Sequence, residues 1–163
     1  MICRPVLSAD RDALVGLLAR TDVFNADECA VALELIDDAI AKPDDPMGYR
    51  VLVAIDSSGK GEDLLGYVCF GRTPMTETTV DFYWAAVDPD ARKRGVGRFL
   101  HDAILAACRA EGLQRIRIET SSQDSYGGTL SFHHALGYET VSVVKDFYKT
   151  GDDLIMLLRN VEP

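Results

Sequence analysis

The stretch that most constrains this chain is Val87-Asp88-Pro89-Asp90-Ala91-Arg92-Lys93-Arg94-Gly95-Val96-Gly97-Arg98. Before it, Thr79–Val87 is rich in β-branched and aromatic residues and reads as a strand. After it the apolar period changes from that of a strand to that of a helix. Val96, Phe99, Leu100, Ala103, Ile104, Ala107 and Cys108 fall on one helical face. The first turn of a helix offers backbone N–H groups without partners and a partial positive charge, so it can hold phosphate. Gly95 and Gly97 let an anion approach the backbone closely, and Arg92, Lys93 and Arg94 add cationic charge. Two common phosphate motifs are excluded. The dinucleotide fingerprint needs a third glycine where Leu100 stands, and the Gly-Lys-Ser/Thr of a P-loop is absent.

The elements around this stretch define a fold class. Residues 2–7 read as a strand, and Ser8 is placed to cap a helix carrying Leu14, Leu17 and Leu18. Asn25 and Glu28 form a capping box for a second helix with Ala32, Leu33, Ile36 and Ile40 on one side, stopped by Pro43 and Pro46. Strands follow at 51–55 and about 64–71, joined by a Ser-Ser-Gly-Lys-Gly turn that suggests a hairpin. Beyond the long helix, which ends near Gly112, lie a strand at 116–120, a helix through about 128–136 and strands at about 138–145 and 153–159. The segment from Asp146 to Gly151 is expected to be a loop. The order β-α-α-β-β-β-α-β-α-β-β predicts one α/β (mixed α+β) domain over residues 1–163. A mostly antiparallel mixed sheet of about seven strands would carry helices on both faces.

Composition narrows the function classes. The 163 residues carry 26 acidic and 17 basic side chains, a net charge of −9, which argues against nucleic acid as a partner. No apolar run approaches the roughly 18 residues of a membrane span, and no secretory signal is visible, so a cytoplasmic protein is expected. Cys3, Cys29, Cys69 and Cys108 show no paired spacing, and His101, His133 and His134 show no ligand spacing, so no metal is expected.

Arg92-x-x-Gly95-x-Gly97, placed between an apolar strand and an amphipathic helix, resembles motif A of the GNAT acetyltransferase superfamily. Glu119-Thr120-Ser121, Tyr126-x-x-Thr129-x-x-Phe132-His133 and Leu136-Gly137-Tyr138 look like its motif B, and the element order matches over nearly the whole chain. The resemblance implies acetyl-CoA as co-substrate and an amine as acceptor, with direct transfer and no covalent enzyme intermediate. It assigns the pyrophosphate to Arg92, Lys93, Arg94, Gly95, Val96, Gly97 and Arg98. It assigns the pantetheine arm and an oxyanion-binding N–H to Ala85, Ala86 and Val87, on a strand expected to splay from the next one, and further contacts to Tyr126 and Phe132.

For proton transfer, Asp81, Tyr83 and Glu119 are the candidate bases, with a water chain as another route. His133 stands where many family members have Tyr and is the candidate acid by position. Tyr148, in the expected loop, either shapes the acceptor pocket or supplies a phenol. The acceptor is a small amine or amino acid, or alternatively a protein N-terminus or lysine. A CoA-binding sensor without catalysis is a reading from another class, and homodimerisation through a strand edge is open.

Overall fold

Strand β3 (Asp63–Arg72) sends alternate side chains into two separate cores. Val68 and Phe70 pack into one, Tyr67 and Cys69 into the other. A strand buried on both faces needs helices above and below, and the computed structural model, which describes residues 1–21, 23–58, 62–123 and 128–162, supplies them. On one side α1 (Arg11–Arg20) contributes Leu14, Leu17 and Leu18, and α2 (Ala26–Ala41) contributes Ala32, Ile36 and Ala39. On the other, α3 (Val96–Ala110) contributes Leu100, Ile104, Leu105 and Cys108. Each Leu or Ile so buried is worth ~1.5–3 kcal/mol of transfer free energy.

The sheet has seven strands in the order β1-β2-β3-β4-β5-β7-β6. The remaining strands are β1 (Ile2–Pro5), β2 (Arg50–Asp56), β4 (Thr79–Val87), β5 (Arg115–Ser121), β6 (Glu139–Lys149) and β7 (Asp152–Asn160); α4 (Thr129–Ala135) precedes β6. All neighbours are antiparallel except β4 and β5, which are parallel and joined by the α3 crossover. The expected mixed, mostly antiparallel sheet with helices on both faces is what the chain forms.

Local signals account for most boundaries. The Asn25 side chain accepts from the Glu28 N–H at 2.9 Å, and Glu28 accepts from the Asn25 N–H at 2.8 Å, the reciprocal capping box. Gly112 and Gly137 stop α3 and α4 in left-handed conformations, with φ of 69° and 86°. Two expectations need correction. Ser8 caps nothing: it opens a short 3-10 turn, and the carboxylate of Asp10 instead accepts from the Leu7 N–H at 2.7 Å. The Arg4 guanidinium also donates to Asp10 and holds its carboxyl below the usual range. The segment 146–149 is strand rather than loop. Asp146, with a φ of 53°, lies in an irregularity that lets β6 run on to Lys149, which pairs with Asp152 across a turn at Thr150-Gly151.

His101 on α3 is 1% exposed, and its Nε2 lies 3.1 Å from the hydroxyl of Tyr138, tying α3 to the entry of β6. Burial pushes this imidazole down to about 4. Unfolded histidine titrates near ~6.5, so the unfolded chain binds the extra proton between those values. The stability that His101 contributes is therefore complete above pH ~6.5 and declines as pH falls through about 4. The melting temperature should fall by several degrees between pH 7 and 4.5. A His101→Gln variant, which keeps a hydrogen bond but cannot titrate, should show a flatter slope; an unchanged slope would mean that His101 is not held neutral.

Candidate active site

The site begins with a skipped rung. Cys69 of β3 pairs with Trp84 and Phe70 pairs with Phe82, so Tyr83 is an extra residue bulged out of β4. A bulge reverses which face the later residues present. Val80 and Phe82 lie in the α3-side core, whereas Trp84 and Ala86 pack in the α1/α2-side core. Beside the bulge β4 loses its other neighbour. It pairs with β5 at Thr79–Arg115, Val80–Ile116 and Asp81–Arg117, and no further pairing joins them although both strands continue. The last rung is fastened by an ion pair, with Arg117 Nε donating to Asp81 Oδ1 at 2.6 Å.

Past that rung the strands leave a V-shaped cleft of about 880 Å³. Phe82, Tyr83, Trp84 and Ala85 line one wall, and Ile118, Thr120 and Ser121 line the other. Phe24 from the segment before α2 stands edge-on to Trp84, ring centroids 5.1 Å apart, and extends the first wall. His133 of α4 enters the cleft, while Tyr148, Lys149 and Asp152 reach it from the β6–β7 turn.

At the outer end of β4 the chain forms a 3-10 turn at Pro89–Ala91, then places Lys93 and Gly95 at positive φ, 62° and 81°. Among the described residues the N–H groups of Gly95, Val96, Gly97 and Arg98 have no recorded acceptor, which leaves the start of α3 ready for an anion. An added Cβ at Gly95 would meet nothing within 4 Å, so this glycine answers a backbone demand, not crowding. At Gly97 the same Cβ would come within 3.1 Å of the Phe132 ring, so this glycine lets α4 lie against α3. Arg92, Lys93, Arg94 and Arg98 are exposed around the turn, Arg94 paired with Asp56 at 3.1 Å. The Val96 side chain is buried in the core, as is Ala86, so each has only backbone to offer here. Val87 is half-buried against the α3-side core, and Phe132 is 41% exposed. Tyr126 lies outside the described residues.

The structure separates the candidate bases. Asp81 and Glu119 do not line the cleft: Asp81 is held by Arg117, and Glu119 Oε1 lies 3.4 Å from Arg117. Tyr83 lines it, but burial and the nearby Asp81 push its phenol up to about 12, so at neutral pH it is a donor rather than an acceptor of protons. His133 is 5% exposed and walled by the rings of Phe82, Phe132 and Tyr138 at 5.5–5.7 Å. Burial and repulsion from His101 and His134 bring it down to about 4, so it is neutral at pH 7, with a hydrogen bond to offer but no readily released proton. Its Nδ1 is buried and has no partner among the described residues. Tyr148 stands on strand β6, its phenol pushed up by burial and by Glu119 and Asp152.

Two lining carboxylates, Glu28 and Asp152, were not singled out as chemical groups in the sequence. Glu28 shows there as a capping residue, and Asp152 falls between the expected loop ending at Gly151 and the strand expected from 153. The available signal was the Gly151-Asp152-Asp153 turn next to Tyr148, which a hairpin brings to the cleft mouth.

Comparison with known proteins agrees with this geometry. A model of the acetyltransferase (GNAT) family matches residues 14–138. A GNAT-family protein from Desulfovibrio desulfuricans is 32% identical over 99% of both chains, with a TM-score of 0.89. An aminoglycoside 6'-N-acetyltransferase in complex with coenzyme A shares the fold at 17% identity, over 100% of this chain and 98% of that one, with a TM-score of 0.74. The ribosomal-protein-S18-alanine N-acetyltransferase from Escherichia coli does so at 16% identity, over 99% and 94%, with a TM-score of 0.71. No curated protein matches the chain. The splayed strands, the glycine-bearing helix start and these matches agree: the chain belongs to the GNAT acetyltransferase family.

Proposed function

We propose that this protein moves the acetyl group of acetyl-CoA directly onto a primary amine while both are bound. The observation that carries the reading is the open V between β4 and β5 with the unbonded N–H groups of α3 at its outer end. A pyrophosphate fits the helix start, where exposed Lys93 and Arg98 add charge. A pantetheine arm fits the unpaired edge of β4, and the thioester then lies near the bulge. A backbone N–H from Ala85 to Val87 is the donor for the oxyanion of the tetrahedral intermediate. Fixed donors of this kind act strongly because they need no reorganisation during the reaction.

The protons balance as follows. An acceptor ammonium carries two protons more than the amide nitrogen keeps. One must leave before attack, and the second ends on the sulfur of the departing CoA as the C–S bond breaks. His133 in its neutral form supplies a hydrogen bond to the sulfur, and the phenols of Tyr148 and Tyr83 are proton-bearing groups at the same cleft. The described cysteines are all free, which supports a reducing, cytoplasmic setting. No described helix is long and apolar enough to cross a membrane.

A thermal melt tests the co-substrate. Acetyl-CoA at ~100 times its dissociation constant should stabilise the protein by roughly 2.7 kcal/mol, and ATP or NAD should not match it. Gly95→Asp should abolish the shift, because it puts negative charge at the pyrophosphate. Gly95→Asn, which tolerates the positive φ there without charge, should keep most of the shift. An unchanged shift in folded Gly95→Asp would remove the helix start from the site.

His133→Phe should lower kcat roughly ten-fold, the scale of one hydrogen bond, without changing acetyl-CoA affinity. Because His133 titrates at about 4, the rate profiles of both enzymes between pH 5 and 8 should share one shape. A step near pH 6.5 present only in the parent would show that His133 works as a charged acid.

A further inference from the structure

Asp152 is one of three buried carboxylates among the described residues, with Asp10 and Asp81. It is 7% exposed and sits at the first position of β7, with its side chain on the cleft lining. The hydroxyl of Ser121, at the end of β5, donates to its Oδ1. No Lys, Arg or His among the described residues forms an ion pair with it. Lys149, its partner across the turn, makes no recorded ion pair with it, and Lys145 goes to Asp153 instead at 2.6 Å. A carboxylate so far removed from water is costly unless something cationic meets it. The other buried carboxylates among the described residues have such a partner: Asp10 has Arg4 and Asp81 has Arg117.

The surroundings limit what that cation can be. Tyr148 and Lys149 stand beside Asp152 from β6 and Ser121 from β5, Glu28 stands on the cleft lining from α2, and Glu119, turned to Arg117, acts on Tyr148 from outside the lining. The cleft wall beyond is Phe24, Trp84 and Tyr83. Around Asp152 the cleft therefore carries two carboxylates and aromatic rings, with Lys149 as the basic side chain of its lining, whereas the basic side chains of the loop before α3 are not on that lining.

We propose that Asp152, oriented by Ser121, receives the ammonium group of the acceptor and takes its first proton. The acceptor class is then a cationic primary amine on an apolar or aromatic body, without a carboxylate beside the nitrogen. This inference rests on the acetyltransferase reading above and sharpens it. The ammonium gives one proton to the Asp152 carboxylate, which passes it to solvent. The free amine attacks the thioester carbonyl, the C–N bond forms and the C–S bond breaks. The remaining surplus proton on nitrogen goes to the thiolate, so CoA leaves as a thiol and the product is a neutral amide.

The test uses the full chain with phenethylamine as acceptor and phenylalanine, the same body with a carboxylate added, as control. The expected result is acetylation of phenethylamine at a kcat/KM at least ten-fold above that of phenylalanine. Asp152→Asn should lower kcat/KM for phenethylamine about 100-fold or more, raise its KM and change the shape of the pH profile, while acetyl-CoA affinity stays within about two-fold. Asp152→Glu should recover part of the loss. Ser121→Ala should cost roughly ten-fold by leaving the carboxylate unoriented, and it serves if Asp152→Asn does not fold. Equal kcat/KM in the parent and in either Asp152→Asn or Ser121→Ala overturns the role of Asp152. Phenylalanine acetylated as well as phenethylamine overturns the acceptor class, with Lys149 then the group that tolerates the carboxylate. Acetyl-CoA binding with no turnover of phenethylamine overturns this proposal alone, whereas failure of the parent to bind acetyl-CoA overturns the reading beneath it.

Discussion

Opposite Cys69 and Phe70, strand β4 carries one residue more than its partner can pair, and the cleft follows from that surplus. The bulge at Tyr83 turns Trp84 and Ala86 toward the helices α1 and α2, and it bends β4 just where pairing with β5 ends. A gap between two strands inside a sheet would leave backbone groups unpaired in the core. Here the gap opens to the surface, so solvent or a bound molecule can meet those groups. Below it, Arg117 and Asp81 fasten the strands together, and the unpaired segments beyond them line the cleft. Removing the bulge would restore regular alternation, close the gap and turn Trp84 back to the α3 side.

The cleft is also electrically graded. Beyond the C-terminal end of β4 stands the first turn of α3, with open N–H groups and exposed cationic side chains, and the cleft lining itself carries Asp152 and Glu28. A molecule with phosphates at one end and a partner with an ammonium group at the other would enter such a site in one orientation. The net charge of −9 thus hides a local division of labour between a basic turn and an acidic pocket. Burial sharpens the division. His133 is pushed to the neutral form and Tyr83 keeps its proton, so the lining holds proton donors and neutral rings between the two charged ends.

Features with local causes were legible in the sequence. The Asn25–Glu28 capping box, the helix face of Leu100 and Ile104, and the Gly95-Val96-Gly97 start all depend on residues within a few positions of each other. The mixed sheet was legible too, because a meander feeding one crossover has few solutions, but the place of β7 between β5 and β6 was not. What escaped depends on distant contacts. Val80, Phe82, Trp84 and Ala86 alternate without fault in the sequence, and only pairing with β3 shows that the alternation breaks at Tyr83. Asp152 and Ser121 are 31 positions apart, so nothing local marks them as neighbours. The loop expected from Asp146 proved to be strand as far as Lys149, because an irregularity at Asp146 lets pairing resume beyond it. The proton affinity of His133 is lowered by burial, with Phe82, Phe132 and Tyr138 around it, and by His101 and His134, surroundings that only the packed helix assembles.

Strand β6 forms the outer edge of the sheet. All of β6 is exposed, and it presents Val141, Val143, Val144, Phe147 and Tyr148 along an uncapped strand edge. A long, flat, apolar edge is a template on which another strand can grow. This one is neither flat nor uniform. Asp146 breaks the ladder with a left-handed backbone, and Lys145, Asp146 and Lys149 set charge among the apolar residues. The same kink that delivers Tyr148 to the cleft therefore acts as a stop against fibre-like stacking. Straightening β6 at Asp146 would both misplace a pocket residue and turn a soluble edge into a sticky one.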